Sequence, residues 1–243
     1  METWGISDVG LVRTENQDAY GVKTVGDFTV AVVCDGMGGT SGGQLASRIA
    51  VDTYLAQLAE HLQGNMNDEQ IMQASSYCIA AVNEAIRAAA AENPGYERMG
   101  TTLVSAVVQK DLAIVSNIGD SRAYRISAAG IEQITRDHSL VENMVERGDL
   151  TPQEARHHPN RNLITRALGP EREANPDAFR VAWKPGEFLL LCSDGLVNTV
   201  SDQEILFEVI HNDEPENCLE RLIALSVQRG APDNVTAVLL MNR

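Results

Sequence analysis

Short apolar runs bounded by glycine, proline and charged residues recur along this chain of 243 residues. Runs of roughly four to eight such residues between turn signals are typical of buried strands. The pattern predicts ten strands, near residues 3–9, 19–25, 28–35, 101–108, 111–118, 122–127, 131–135, 178–184, 187–192 and 235–241.

Apolar residues three and four positions apart predict two long helices, one from Gln44 to His61 and one from Asp68 to Glu92. A further helical region covers about 201–229, with a break near Pro215. On the second helix, one face carries Ile71, Cys78, Ile79, Val82 and Ile86. Helical pairs that flank runs of strands predict an α+β fold in which two antiparallel sheets pack face to face with helices outside.

Four aspartates lie at the edges of predicted strands: three follow an apolar run, and the fourth precedes the last one. They are Asp35, Asp120, Asp194 and Asp233. The first three adjoin a glycine, which suits a tight turn at the end of a strand. Because turns select Asp and Gly anyway, any single pair is equally well explained as a turn. Four together predict a shared site at one edge of a sheet.

A set made only of carboxylates favours hard divalent cations, Mg²⁺ or Mn²⁺, because these ions prefer oxygen ligands. Two such ions lower the pKa of a shared water and hold the oxygens of a phosphate ester during displacement. The aspartates therefore predict metal-assisted hydrolysis of phosphate esters.

Composition and cysteine spacing exclude other classes. The chain has 34 acidic and 19 basic residues, a net charge of −15, which disfavours nucleic acid and anionic membranes as partners. The four cysteines are scattered, so no disulfides are expected. A cysteine-dependent phosphatase needs an arginine six positions after its nucleophile. The corresponding positions hold Thr40, Glu84, Asn198 and Ala224, so this mechanism is excluded.

Neither a transmembrane run of about 18 apolar residues nor a signal peptide is found, so a soluble cytoplasmic protein is expected.

Five segments together resemble the metal-dependent protein phosphatases of the 2C type in order and spacing. They are Arg13-Thr14-Glu15-Asn16-Gln17-Asp18, Asp35-Gly36-Met37-Gly38-Gly39, Gly119-Asp120-Ser121-Arg122, Ser193-Asp194-Gly195 and Asp233-Asn234. The resemblance covers essentially the whole chain and is greatest to the compact bacterial serine/threonine phosphatases. It implies one catalytic domain over residues 1–243, a four-layer α-β-β-α sandwich, and an inserted flap at about residues 137–168.

The same resemblance implies a metal role for five residues. Asp35 would bridge two metals, Asp194 and Asp233 would complete the first site, and the carbonyl of Gly36 would join the second. Asp120, together with Asp194, would hold a third and weaker metal.

Two catalytic roles are also implied: Arg13 would bind phosphate, and Asp18 would hydrogen-bond a metal-bound water. Gln17 stands where some relatives carry a glutamate, which predicts a weaker second metal site. Met37 stands where eukaryotic members carry a histidine proposed as the general acid. Histidines of the flap are candidates to replace it, namely His138, His157 and His158.

The function that follows is hydrolysis of phosphoserine and phosphothreonine in proteins through attack by a hydroxide that bridges two Mn²⁺ or Mg²⁺ ions. The expected partners are phosphorylated proteins and a cognate bacterial serine/threonine kinase, and a monomer is expected. Two alternatives remain open. One is a catalytically weak regulatory binding module, and the other is a phosphatase that acts on an antagonist of an anti-sigma factor.

Overall fold

The computed structural model describes residues 1–39, 42–92, 94–211 and 214–243. Within these ranges, eleven strands form two sheets in which neighbouring strands are antiparallel. The strands are β1 (Glu2–Asp8), β2 (Asp18–Val25), β3 (Phe28–Met37), β4 (Gly100–Thr101), β5 (Leu103–Gln109), β6 (Leu112–Ile118), β7 (Arg122–Ser127), β8 (Gly130–Gln133), β9 (Asp177–Ala182), β10 (Phe188–Cys192) and β11 (Val235–Met241).

One sheet has the order β1-β11-β10-β7-β8, and the other has the order β2-β3-β5-β6-β9, with β4 added beside β3. The helices are α1 (Gly42–His61), α2 (Asp68–Glu92), α3 (Leu140–Glu146), α4 (Pro152–Arg156), α5 (Asp194–Val197), α6 (Asp202–Ile210) and α7 (Pro215–Gln228).

Strands buried on both faces explain why the apolar runs are continuous rather than alternating. Along β3, the side chains of Val30, Val32 and Cys34 pack among residues of α1 and α2, whereas Ala31 and Val33 pack against residues of the other sheet. Successive side chains of a strand point to opposite faces, so a strand covered on both sides must be apolar throughout.

Helices cover the outer face of each sheet. The apolar faces of α1 and α2 lie on the sheet that contains β3, and the five predicted core positions of α2 are all buried. Residues of α6 and α7 pack on β10 and β11 of the other sheet. The order is thus helix, sheet, sheet, helix, and the predicted α+β four-layer sandwich is confirmed.

Several predicted boundaries need correction. The predicted strand at 101–108 is two strands, β4 and β5, separated at Thr102. The strand predicted at 131–135 begins and ends earlier, at Gly130–Gln133, and residues 183–184 lie outside β9. The helical region at 201–229 is α6 and α7 on either side of residues 212–213, which lie outside the described residues.

The predicted flap segment, residues 137–168, contains the short helices α3 and α4 and is joined to the body near its two ends. Its first and last parts form a bridge between Ser139 and Ile164, and Leu168 bridges to Thr101. A capping box formed by Thr151 and Glu154, with Pro152 as the first helical residue, starts α4. In the described part of the chain, no helix is both long and apolar enough to cross a bilayer.

Candidate active site

An open cleft of about 510 Å³ lies where β3, the turn after β6, α5 and the turn before β11 meet. All four predicted aspartates line this cleft. Asn162 and Ile164 of the predicted flap segment line it as well. The other lining residues are Arg13, Thr14, Glu15, Gln17, Gly36, Met37, Gly38, Gly39, Thr102 and Asn234.

The sequence predicted that Asp35 lies at a strand end, but the structure places it within β3, where strand pairing holds it. β3 continues through Gly36 and Met37 because these residues pair with β4, a long-range contact that the local pattern does not show. The amide of Asp35 donates to Thr102 Oγ1 (2.9 Å), and the amide of Thr102 donates to the Asp35 carbonyl (2.9 Å). This exchange fixes the backbone from which the Asp35 carboxylate projects.

Gly36 is required by close packing and not by a turn. A Cβ atom at this position would lie 2.1 Å from the carbonyl oxygen of Gly43 at the start of α1. The absence of a side chain therefore lets α1 approach the cleft, and the tight turn follows at Gly38 and Gly39, where φ is +125° and +80°.

Asp120 and Asp194 reach the cleft from two connecting segments, one between β6 and β7 and one after β10. Asp120 follows Gly119, whose φ of +112° turns the chain after β6. Asp194 is the first residue of α5, a helix that the sequence analysis missed, and its Oδ2 accepts a hydrogen bond from Asn198 Nδ2 (2.9 Å).

Asp18 lies behind the cleft and is almost completely buried. Its Oδ2 accepts a hydrogen bond from Ser193 Oγ (2.8 Å), and Ser193 Oγ in turn accepts from the amide of Thr236 (3.0 Å). Its Oδ1 is buried and has no hydrogen-bond partner among the described residues. A buried carboxylate oxygen without a donor is costly, so this atom is suited to a bound water or cation.

Arg13 forms a bidentate ion pair with Asp233: Nε and Nη2 donate to the two carboxylate oxygens at 2.9 and 2.8 Å. The sequence predicted separate roles for these residues, a phosphate ligand and a metal ligand. Both side chains are partly exposed, 56% and 34%, so the pair is readily exchanged for other partners.

Burial and mutual repulsion raise the pKa values of Asp35, Asp120 and Asp194 in the cleft, and of Asp18 behind it. Burial, followed by the charges of Asp194 and Asp137, raises the pKa of Asp120 to about 8. Burial and then the charge of Asp18 raise the pKa of Asp35 well above its usual range, and burial and then Asp233 raise that of Asp194. For Asp18 burial dominates, and hydrogen bonds from Thr236 and Ser193 limit the rise in its pKa to about 6.

Such a group of carboxylates fits divalent cations, which would neutralise the repulsion that raises the pKa values. Among the described residues, however, no three acidic, histidine or cysteine side chains already form a coordination shell. Mg²⁺ commonly binds through one or two carboxylates and keeps several waters, so a preformed cage is not needed. The donor set and the buried Oδ1 of Asp18 therefore fit hydrated divalent ions.

Three polar residues that organise the site were missed by sequence reasoning: Thr102, Ser193 and Asn234 were assigned no role. Asn234 Oδ1 accepts from the amide of Gln17 (2.8 Å), and its Nδ2 donates to the carbonyls of Val9 and Glu15. Ser193 and Asn234 were signalled only by their positions beside Asp194 and Asp233, and Thr102 carried no local signal.

The flap histidines do not line the cleft. His138 is buried, with Nδ1 3.1 Å from the amide of Gly119 and Nε2 3.1 Å from Asp177 Oδ2, so both ring nitrogens are engaged in hydrogen bonds outside the cleft. His157 is exposed, and His158 accepts from the amide of Asn160 (3.1 Å). None of the three is placed to donate a proton inside the cleft in this conformation.

The four-layer fold and its cleft of aspartates are those of the phosphoprotein phosphatases. The family model described as "Protein phosphatase 2C" matches residues 12–224, and the chain belongs to this family, as the sequence predicted.

Similar proteins with phosphatase names agree with this family assignment. The chain is 37% identical over 232 residues to the serine/threonine protein phosphatase PstP of Mycobacterium tuberculosis, covering 96% of this chain and 43% of PstP. It is 35% identical to the protein phosphatase PhpP of Streptococcus pneumoniae, covering 99% of this chain and 97% of PhpP. The chain thus spans less than half of PstP and nearly all of PhpP.

Solved structures match over the whole chain. The crystal structure of the M. tuberculosis phosphatase PstP/Ppp superimposes with a TM-score of 0.89 at 35% identity, covering 100% of this chain and 99% of that one. For the serine/threonine phosphatase of S. agalactiae the TM-score is 0.93 at 29% identity, covering 100% and 99%. Members of the 2C family depend on metal in general, which the carboxylates of the cleft fit.

Proposed function

We propose that this chain hydrolyses phosphoserine and phosphothreonine in proteins with Mn²⁺ or Mg²⁺ as cofactor. One observation carries the proposal: Asp35, Asp120, Asp194 and Asp233 line a single open cleft together with Arg13. Strand pairing and turns bring these residues together from positions up to 220 residues apart along the chain.

Five residues that line the cleft would hold the metal ions. Asp35, Asp194, Asp233 and the carbonyl of Gly36 would hold two core ions, and Asp120 with Asp194 would hold a third. When bound, such ions lower the pKa of water and neutralise charge on the phosphate.

Two further residues act on water and on phosphate. Asp18 would orient a water through its buried Oδ1, which lacks a donor among the described residues. Arg13 presents two parallel donors, now used by Asp233, and the same geometry suits two phosphate oxygens. Its side chain is 56% exposed, so it can turn from the carboxylate to a substrate.

The proposed partners are phosphorylated proteins and the serine/threonine kinase that supplies them, and the proposed setting is cytoplasmic signalling by a monomer. The relatives PstP, PhpP and the Listeria phosphatase Stp carry phosphatase names that support this substrate class. All four cysteines are buried free thiols, as expected in a reducing compartment.

The test is hydrolysis of a phosphothreonine peptide and of para-nitrophenyl phosphate with Mn²⁺, Mg²⁺ or chelator. We expect metal-dependent release of phosphate. Asp194→Asn should reduce its rate by at least about a hundredfold, because loss of one electrostatic contact that stabilises a transition state costs roughly this factor. Asp149→Asn, an exposed acid after α3, is the matched control and should be fully active.

Two outcomes would contradict the proposal. Equal hydrolysis in chelator would exclude the metal mechanism. Absence of hydrolysis by a folded wild-type protein with either metal would favour the regulatory binding module instead.

A further inference from the structure

Two large apolar side chains stand in solvent at the edge of the cleft. Val12 is 67% exposed and Leu11 is 63% exposed, the highest values among the large apolar residues in the described ranges. Both lie in the connection between β1 and β2, and Val12 directly precedes Arg13, which lines the cleft. Single exposed apolar residues are ordinary, but an adjacent pair beside a polar cleft points to a binding role.

The exposure of this pair does not come from a loosely held loop. The amide of Leu11 donates to the carbonyl of Ala231 (3.0 Å), and the amide of Gly10 donates to Asp8 Oδ1 (2.8 Å). Asn234 Nδ2 donates to the carbonyl of Val9 (2.9 Å).

Gly10 adds a steric restraint, since its φ is +75° and a Cβ atom there would lie 2.3 Å from the carbonyl oxygen of Asp233. The backbone is therefore fixed on the turn that bears Asp233, while the two apolar side chains face solvent. A surface fixed in advance loses little entropy when it binds.

We propose that Leu11 and Val12, the apolar rim, bind an apolar side chain that neighbours the phosphorylated residue of the protein substrate. This inference rests on the proposed function, because it takes the phosphoryl group to lie in the cleft beside Arg13. Consecutive Cα atoms are about 3.8 Å apart, and an extended substrate advances about 3.3–3.6 Å per residue. The apolar residue should therefore stand within about three positions of the phosphoresidue.

Electrostatics favours an apolar neighbour over an acidic one. The whole chain carries a net charge of −15, which two or three divalent cations in the cleft would offset only in part. Acidic residues beside the phosphate would be repelled, whereas an apolar contact adds affinity without charge. Because the rim is continuous with the cleft through Arg13, a substrate segment is a better occupant than a second copy of the chain.

The test compares two phosphothreonine peptides that differ only in the three residues on each side, which are leucine in one and serine in the other. Wild-type protein should show the lower KM for the leucine peptide. The double variant Leu11→Ser with Val12→Ser should raise that KM about fivefold and leave kcat unchanged, because it removes binding that is equal in the ground and transition states.

Two controls separate docking from chemistry. Hydrolysis of para-nitrophenyl phosphate, which has no flanking residues, should be the same in wild type and double variant. Phe207→Ser removes an apolar side chain of similar exposure, 58%, on α6 and outside the cleft lining, and should leave both peptides unaffected.

The proposal is overturned if the double variant and the wild type treat the two peptides alike while both hydrolyse para-nitrophenyl phosphate. It is also overturned if light scattering shows that the double variant changes only the oligomeric state, since the rim would then bind a second copy. An inactive wild type would instead remove the proposed function, and the peptide inference with it.

Discussion

Burial and neighbouring carboxylates make the ionised form of Asp120 unfavourable in the folded protein. Its pKa is raised to about 8, so the folded chain binds this proton more tightly than the unfolded chain, in which the pKa is near 3.8. Below about pH 4 both states are protonated and the folded state bears no penalty. As the pH rises from about 4 to 8, the unfolded state loses its proton first, and stability falls through this window.

Asp120→Asn should therefore stabilise the metal-free protein at pH 8 by more than about 1 kcal/mol, since one pK unit corresponds to about 1.4 kcal/mol. The gain should shrink towards zero near pH 4. Urea unfolding in chelator across this range measures it, with Asp149→Asn as an exposed control. A gain that is equal at both pH values would mean that the effect is not one of charge.

His138 is the second residue whose contacts define a testable role. Nδ1 can accept from the Gly119 amide only if the ring proton is on Nε2, which then donates to Asp177 Oδ2. The backbone amide of His138 also donates to the Gly119 carbonyl (2.8 Å). The turn that carries Asp120 is thus fastened to the first residues of the predicted flap segment.

Two substitutions test the contact between the His138 ring and the Gly119 amide. His138→Leu leaves the buried Gly119 amide without an acceptor and should lower the free energy of unfolding by about 1–3 kcal/mol. His138→Asn places an amide oxygen near the position of Nδ1 and should recover much of this loss. Chemical denaturation of both variants measures the difference, and equal losses would show that the acceptor for the Gly119 amide does not contribute to stability.

At the scale of elements, the approach of α1 to β3 sets the shape of the cleft. A Cβ atom on Gly43 would lie 2.5 Å from Gln17 Oε1 and 2.6–2.7 Å from the backbone of Gly36 and Met37. Such overlaps with backbone atoms are relieved only if the helix moves away from the strand.

Gly43→Ala should consequently destabilise the protein by about 1–3 kcal/mol. Gly64→Ala is the matched control, because this exposed glycine has only one neighbour within 4 Å, Asp27 Oδ2 at 3.8 Å, and should change stability by less than about 0.5 kcal/mol. Thermal unfolding of both variants gives the comparison. A neutral Gly43→Ala would show that α1 yields easily and does not fix the cleft.

The same elements show which features the sequence could reveal. The bounds of α2 and β11 agree with the predicted ranges, because apolar periodicity is a local signal. The extension of β3 through Met37 and the split at Thr102 depend on pairing with β4, and α5 is only four residues long. Long-range pairing and very short helices leave little trace in local periodicity.

The candidate site divides in the same way. The aspartates were found because each adjoins a strong apolar run, and the structure brings all four to one cleft. The pairing of Arg13 with Asp233 joins residues 220 positions apart, and no local pattern encodes it. The network of Ser193, Asp18 and Thr236 is likewise a product of tertiary packing.

At the scale of the whole molecule, the excess of negative charge couples stability to metal binding. The net charge is −15, and the cleft gathers several carboxylates, among them Asp35 and Asp194, whose pKa values are raised by burial and repulsion. The unfolded chain separates these carboxylates, so divalent ions should bind the folded state far more tightly. Ligand at a hundred times its Kd stabilises a folded protein by about 2.7 kcal/mol.

For a chain of this length, 1 kcal/mol shifts Tm by about 2–4 °C, so saturating Mn²⁺ should raise Tm by about 5–10 °C over chelator. Asp35→Asn should lose most of this increase, because Asp35 lies where the charges of Asp18, Asp194 and Asp120 converge. Asp149→Asn, with the same change of net charge, should keep it. Calorimetric scans of the three proteins with and without Mn²⁺ make the comparison, and an equal increase in all three would mean that the ions act on the overall charge and not at the cleft.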